Sequence, residues 1–160
     1  PDGRVLAYVA ARDGRRVIDV YTQPVDGGPE VRLTFGEGHC DGPDYSACGG
    51  FIWFNCDVTG QAQIWRMPRD GGTAVQVFAD DRVNWFPHPS PCGRWVLYLS
   101  YPPGTAGHPR DLDVQLCLMD LQGDNRRVVV DLFGGQGSIN VPCWAPDGSA
   151  FAFMRYAPGT

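Results

Sequence analysis

The chain has 160 residues, of which 43% are hydrophobic, and a formal net charge of −5, values that suit one folded domain with a core. Its acidic balance argues against a protein that binds nucleic-acid phosphates through basic patches. Because all 13 basic residues are arginine, Schiff-base chemistry and a phosphate-loop lysine are excluded. The 21 glycines and 14 prolines argue against long helices, and no apolar run approaches the ~18 residues of a membrane-spanning helix.

Four segments of the chain align without gaps, and they begin at Pro1, Ala47, Pro91 and Pro146. The third residue of each segment is glycine, as a tight turn with positive φ requires, and the eighth is always aromatic. Because alternate residues of a strand share a face, each segment is predicted to form a turn followed by a strand with one buried stripe. The glycines are Gly3, Gly49, Gly93 and Gly148, and the aromatic residues are Tyr8, Phe54, Tyr98 and Phe153.

The repeats also carry further strand signals. Apolar runs at 17–21, 63–67 and 114–121 are each followed by a hairpin turn and by another run at 31–35, 74–78 and 126–133. A short strand ending at 43–46, 87–90 or 142–145 precedes the next aligned turn. Four short antiparallel strands per ~45 residues are typical of a propeller blade. We therefore predict an all-β fold, a partial β-propeller of four-stranded antiparallel blades, with blades or blade remnants at 1–35, 36–79, 80–133 and 134–160.

The repeats resemble those of a known family. The turn and strand at 90–98 (SPCGRWVLY) and the turn at 145–148 (APDG) are similar to the WD40-like repeat of TolB-type β-propellers, and the resemblance covers essentially the whole chain. The stretches 84–88 and 134–142 resemble a periplasmic or secreted TolB-like subfamily. Two turns depart from the pattern, because Cys48 and Cys92 replace the turn aspartate.

This resemblance implies a non-catalytic module for protein–protein interaction, periplasmic or secreted, with a protein partner, no nucleic acid, no membrane insertion and no cofactor. A closed ring of six or seven such blades needs roughly 260 to 320 residues. The chain begins with Pro1-Asp2-Gly3, which looks like the middle of a turn. We therefore expect a piece of a longer propeller whose missing blades are further partners, and we expect the isolated piece to be unstable or to associate through its ends.

Candidate binding residues gather on one rim of the predicted propeller. The segments that lead into the innermost strands share this upper rim with the loops between the second and third strands of each blade, whereas the aligned glycine turns and the hairpin turns form the lower rim. His108 lies in an inserted loop at 102–109, and loops on rigid scaffolds often carry binding function. The residues predicted on or near the upper rim are His39, Asp41, Asp44, Asn84, Trp85, His88, His108, Gln136 and Asn140.

Two enzymatic readings stay open beside the interaction module. Histidines with nearby carboxylates could bind a transition metal in a propeller enzyme that acts on saccharides, but no ligand spacing is fixed here and solvated loop histidines are the simpler explanation. The chain could also belong to the propeller domain of a larger peptidase, although it has no Gly-x-Ser-x-Gly motif of its own. Of the five tryptophans, only Trp85 is predicted at a rim; the other four are assigned to blade packing.

The six cysteines contain no C-x-x-C motif, so neither a zinc knuckle nor a thioredoxin-type motif is supported. The blade arrangement places most of them in different blades or at opposite ends of strands, whereas a disulfide needs Cα atoms within roughly 7 Å of each other. We therefore expect six free thiols. The pair that would contradict this expectation is Cys40 with Cys56, which lie on one rim.

Overall fold

The computed structural model describes residues 1–12, 14 and 16–157, which form eleven β-strands. Within these residues, no helix is long and apolar enough to cross a bilayer. The strands are β1 Val5–Ala10, β2 Asp19–Pro24, β3 Val31–Arg32, β4 Cys40–Tyr45, β5 Phe51–Cys56, β6 Gln63–Pro68, β7 Val75–Gln76, β8 Val83–Pro89, β9 Val96–Tyr101, β10 Arg110–Met119 and β11 Arg127–Gly135.

The strands form three antiparallel sheets in chain order, which confirms the predicted all-β propeller class. The first sheet holds β1 to β3, the second β4 to β7 and the third β8 to β11, and every strand pairs with its neighbour in the chain. In the part of the chain that the structure describes, the fourth repeat contributes one isolated antiparallel bridge, between Trp144 and Phe151. Each sheet is thus an up-and-down meander, the strand order of a propeller blade.

The lower rim is built from the aligned glycine turns. Their glycines have φ values of 70° at Gly3, 68° at Gly49, 69° at Gly93 and 71° at Gly148, as the sequence predicts. In the third sheet, the backbone N–H of Trp95 donates to Ser90 Oγ at 3.0 Å, and the N–H of Gly93 donates to the Ser90 carbonyl at 2.9 Å. Since a left-handed backbone costs residues with a β-carbon roughly 1–2 kcal/mol, glycine is the residue that fits this turn.

The core lies between successive sheets rather than on the outside of one sheet. Burying one large apolar side chain contributes roughly 1.5–3 kcal/mol, so each sheet is stabilised chiefly by its neighbour. The cluster between the second and third sheets consists of Trp53, Ile64, Phe78, Val96, Tyr98, Cys117 and Met119. Corresponding clusters join the first sheet to the second and the third sheet to the fourth repeat.

The expectation of six free thiols is wrong for one pair, because Cys40 and Cys56 form a disulfide. β4 and β5 are neighbouring strands, and their register places the two cysteines opposite each other, with a Cα–Cα distance of 4.1 Å. Sequence spacing places both residues on the upper rim but does not fix this register. The other four cysteines are free, with Cys48 and Cys92 exposed on the lower rim and Cys117 buried.

Candidate functional site

The upper rim carries a cleft between the second and third sheets, which we call the rim cleft. Its volume is about 430 Å³. The β9–β10 loop, the β5–β6 turn and the first half of β8 form its walls. Its lining residues are His39, Asp57, Gly60, Gln61, Ala62, Val83, Trp85, Thr105, Ala106, Gly107 and His108. The structure therefore brings together three of the residues singled out from the sequence, His39, Trp85 and His108.

The β9–β10 loop is anchored at both of its ends. Thr105 donates to the Pro102 carbonyl through its backbone N–H at 3.3 Å and its Oγ1 hydroxyl at 2.7 Å. At the other end, the Tyr101 hydroxyl donates to the Pro109 carbonyl at 3.0 Å. Gly107 has a φ of 64° and turns the chain back toward the sheet. These contacts position His108 against the innermost strand of the third sheet.

His108 packs edge-on against two aromatic residues of β8, with ring centroids 4.4 Å from Trp85 and 5.1 Å from Phe86. The sequence places Trp85 at a rim, and in the structure it lies in the first half of β8, where it lines the rim cleft but is only 4% exposed. Phe86 adopts a φ of 54° at a β-bulge, and its N–H donates to Asn55 Oδ1 of the second sheet at 2.9 Å. A strained backbone conformation of this kind is held by its surroundings, here by the neighbouring sheet.

Two carboxylates lie beside the histidines of the rim cleft. Asp57 Oδ1 accepts the backbone N–H of His39 at 2.7 Å, which fixes the segment leading into β4. Asp41 Oδ2 lies 3.7 Å from His108 Nε2, which is too long for a hydrogen bond. Both partners of that pair are partly exposed, so their attraction is screened by solvent. The His108 ring is therefore held mainly by its packing against the aromatic residues.

Three buried polar atoms of β5 and β8 have no partner among the described residues: Trp85 Nε1, Asn84 Oδ1 and Asn55 Nδ2. Of these three residues, Trp85 lines the rim cleft. Asn84 lies in β8 and is fully buried, and its amide nitrogen donates to Gln63 Oε1 at 3.0 Å and to Asp80 Oδ1 at 2.9 Å. A buried polar group that lacks a hydrogen bond costs roughly 1–3 kcal/mol, so unpaired donors and acceptors beside a cleft favour the binding of a polar group there.

His88 lies away from the rim cleft, near the other end of β8, and is 3% exposed. Its Nδ1 lies 2.9 Å from Asp44 Oδ2, and its Nε2 lies 2.5 Å from the Ile139 carbonyl oxygen. Trp144 Nε1 also donates to the His88 carbonyl at 2.8 Å. The sequence predicts His88 on or near the upper rim, but the structure makes it a buried tie between β4, β8 and the fourth repeat. We call these contacts the inner-strand tie.

Gln136 and Asn140 stabilise the connection between β11 and the fourth repeat. The Gln136 carbonyl accepts the Tyr156 hydroxyl at 2.7 Å, and Asn140 Oδ1 accepts the backbone N–H of Gly137 at 2.7 Å. Neither residue lines the rim cleft. They therefore organise a neighbouring stretch of the upper rim.

The three histidines of the chain do not lie at one site. His39 and His108 line the rim cleft, whereas His88 belongs to the inner-strand tie. Across residues 1–12, 14 and 16–157, no group of three or more histidine, cysteine, aspartate or glutamate side chains is placed to hold a metal ion.

Sequence reasoning missed three residues that shape the rim cleft: Asn55, Asp57 and Phe86. The alignment of the repeats does hold a signal for Phe86, which occupies the position of Gly42 in the preceding repeat. Gly42 has a φ of 59°, so both repeats use a left-handed residue at this bulge. Asn55 and Asp57 carry no comparable signal, because their roles depend on contacts with other segments of the chain.

Comparisons with known proteins agree with this architecture. An uncharacterised protein of Agrobacterium fabrum is 49% identical over 158 residues, which cover 99% of this chain and 53% of that protein. A solved structure of a candidate TolB from Agrobacterium tumefaciens is also 49% identical, with a TM-score of 0.96 over 99% of this chain and 57% of that one. TolB from Acinetobacter baumannii shares the fold at 17% identity, with a TM-score of 0.72 over 92% of this chain and 34% of that one. No family model matches the chain.

The repeats, the sheets and the comparisons together define the class of protein: the chain is a partial β-propeller built of TolB-like blades. It spans about half the length of the two Agrobacterium proteins, 53% of one and 57% of the other.

Proposed function

We propose that the chain belongs to a non-catalytic propeller module that binds a protein partner through its upper rim. The rim cleft carries this proposal, because the β9–β10 loop of the third sheet and the segment leading into the second sheet together form one concave surface. Loops held on a rigid sheet scaffold are common places for binding residues.

The composition of the rim cleft supports protein recognition. Its lining combines an aromatic residue, two imidazoles, a carboxylate and small apolar side chains. Protein interfaces likewise depend on aromatic anchors surrounded by polar residues. A volume of about 430 Å³ lies within the range of specific ligand clefts, so a few side chains of a partner could enter it.

We also propose that the module works in the periplasm or outside the cell. The disulfide between Cys40 and Cys56 supports this placement, because disulfides form and persist in oxidising compartments.

Site-specific photo-crosslinking in the native cell tests the proposal. A photoreactive amino acid replaces Ala106, an exposed residue of the rim cleft, and in a matched control it replaces Asp70, an exposed residue of a lower-rim hairpin turn. We expect one discrete protein adduct from position 106 only, which forms again when the identified partner is purified and mixed with the protein. An absent adduct, or the same adduct from position 70, would contradict binding through the upper rim.

A further inference from the structure

We infer that the rim cleft recognises an amide group of its partner, either a peptide bond or an asparagine or glutamine side chain, through the indole N–H of Trp85. This inference rests on the proposed function, because it names the chemistry that the upper rim would read in a protein.

The indole of Trp85 is the first observation. Trp85 lines the rim cleft, is 4% exposed, and its Nε1 has no acceptor among the described residues. An indole nitrogen can only donate, so this group requires an acceptor atom. Other indoles of the chain already have one: Trp65 donates to the Cys56 carbonyl at 3.2 Å and Trp144 to the His88 carbonyl at 2.8 Å. Those two tryptophans serve the fold, whereas Trp85 keeps an unused donor beside a cleft.

The charges around the cleft select the class of acceptor. Asp57 lines the cleft and Asp41 lies beside His108, so a carboxylate ligand would meet two like charges. An ammonium group would satisfy the carboxylates but would leave the Trp85 N–H unpaired. An amide is neutral, offers its carbonyl oxygen to the indole and offers its own N–H to a carboxylate. It also avoids the desolvation cost of bringing a charge into a half-buried cleft.

An acceptor reaches the buried indole N–H only when a neighbouring side chain moves, and we assign this movement to His108. Trp85 Nε1 is fully covered in the structure, and the His108 ring packs against the Trp85 ring at 4.4 Å. The His108 ring packs against aromatic residues, but its Nε2 lies 3.7 Å from Asp41 Oδ2, too far for a hydrogen bond, and its side chain is 26% exposed. The neighbouring Gly107 has open space on the side that a β-carbon would occupy. The partner's amide thus takes the place of the His108 ring.

Nuclear magnetic resonance of the indole N–H groups tests the inference with three small probes. Acetamide, acetate and ethylammonium are titrated separately into the full chain. We expect acetamide to shift the Trp85 indole signal in a saturable way and to leave the Trp65 and Trp144 signals unmoved, since their donors are already bonded. A shift by acetate or ethylammonium that equals or exceeds the acetamide shift, or no acetamide shift, overturns the inference.

Two variants sharpen this test. Trp85→Phe keeps an aromatic ring but removes the donor and its signal, so acetamide binding to this variant is followed at the backbone amide signals of residues 105–108. We expect this binding to be at least about five-fold weaker, the factor of one hydrogen bond. His108→Ala leaves Trp85 in place and removes the ring that packs against it, so the acetamide concentration at half saturation should fall at least two-fold. An unchanged or higher value overturns the role of His108, even where Trp85→Phe does not fold.

Protein binding by the upper rim and amide recognition by Trp85 are tested by different experiments, so one can be overturned without the other. If the crosslinker at position 106 captures the partner while acetamide leaves the Trp85 signal unmoved, the upper rim binds protein without reading an amide, and only the present inference is lost. If acetamide binds but no partner is captured, the amide site stands and the proposed function is overturned.

Discussion

Cys48 and Cys92 occupy the turn position that aspartate fills in the other two repeats. The Asp147 carboxylate accepts the backbone N–H of Ser149 at 2.9 Å, so the turn offers hydrogen-bond donors to a negative group. The Sγ of Cys48 lies 3.4 Å from Ser46 Oγ, and the Sγ of Cys92 lies 3.3 Å from Ser90 Oγ. Hydrogen bonds from these serine hydroxyls, followed by those from backbone N–H groups, lower the pKa of both exposed thiols.

The remaining two free cysteines have the opposite environment. Burial raises the pKa of the Cys117 and Cys143 thiols to about 11, because the charged thiolate is poorly solvated there. The thiolate is the reactive form of cysteine, so a thiol with a lower pKa holds more thiolate at a given pH and reacts faster.

Alkylation by iodoacetamide at pH 8 should therefore modify Cys48 and Cys92 well before Cys117 and Cys143. The modified residues are identified by peptide mass spectrometry over a time course. Removal of one hydroxyl with Ser90→Ala should slow the alkylation of Cys92 at least about two-fold, since one hydrogen bond to the thiolate is lost. Cys48 serves as the internal control in that variant. Equal alkylation rates at all four cysteines would contradict the lowered pKa of the exposed thiols and the raised pKa of the buried ones.

At the scale of the strands, His88 and His108 are two histidines in contrasting surroundings, one buried and one partly exposed. His88 lies within the inner-strand tie, where both ring nitrogens face acceptor atoms, a carboxylate oxygen and a carbonyl oxygen. Both hydrogen bonds form together when each ring nitrogen carries a proton, or when Asp44 itself supplies one of the protons. The contacts join β4, β8 and the fourth repeat, so they stabilise the arrangement of neighbouring blades.

We expect His88→Ala to lower the free energy of unfolding by about 2–4 kcal/mol, because it leaves the Asp44 carboxylate and the Ile139 carbonyl without a partner. His108→Ala is the control, with an expected loss of about 1 kcal/mol or less, since that side chain is partly exposed and loosely held. Urea denaturation followed by tryptophan fluorescence measures both values. A loss at His108 that matches the loss at His88 would argue against the inner-strand tie.

The disulfide between β4 and β5 is expected to stabilise the fold. Replacing both Cys40 and Cys56 with alanine removes a cross-link between residues 16 positions apart, so the free energy of unfolding should fall by about 3 kcal/mol. Thiol titration in denaturant should count four reactive groups without reductant and six with it. Six groups without reductant would contradict the pairing, and Cys48→Ala is the control for loss of an exposed cysteine.

The sequence predicts the strands better than the contacts between them. The turn glycines and the apolar stripes are local signals, so the positions of β1, β5 and β9 follow from the repeats alone. The pairing of Cys40 with Cys56 depends on register, which no local signal fixes. The burial of Trp85 and His88 depends on the neighbouring sheet and on the fourth repeat. The grouping of His39, Trp85 and His108 in one cleft likewise required the path of the β9–β10 loop.

At the scale of the molecule, the first sheet has three strands within the described part of the chain, where β1 pairs with β2 alone. Its second edge offers unpaired backbone groups, and Leu6 within it is 57% exposed. Exposed strand edges of this kind are sites of association between chains.

We expect the isolated 160-residue chain to show an average mass that rises with concentration in light scattering. A charge on the edge should oppose pairing, so Leu6→Lys should reduce this association. Val25→Lys, on an exposed residue of the turn between β2 and β3, outside the strands, is the control. A monomeric mass at every concentration, together with a cooperative melt, would contradict the open edge.

Hydrogen–deuterium exchange of the chain, with and without the purified partner that crosslinking identifies, tests whether the upper rim binds protein. Amides buried in an interface exchange more slowly, and each protected segment can be located by peptide mass spectrometry. We expect protection at 57–62 and 104–108, two of the three walls of the rim cleft, and no change at the lower-rim turns 47–50 and 91–94. Protection confined to the lower rim or to the outer strands would contradict it.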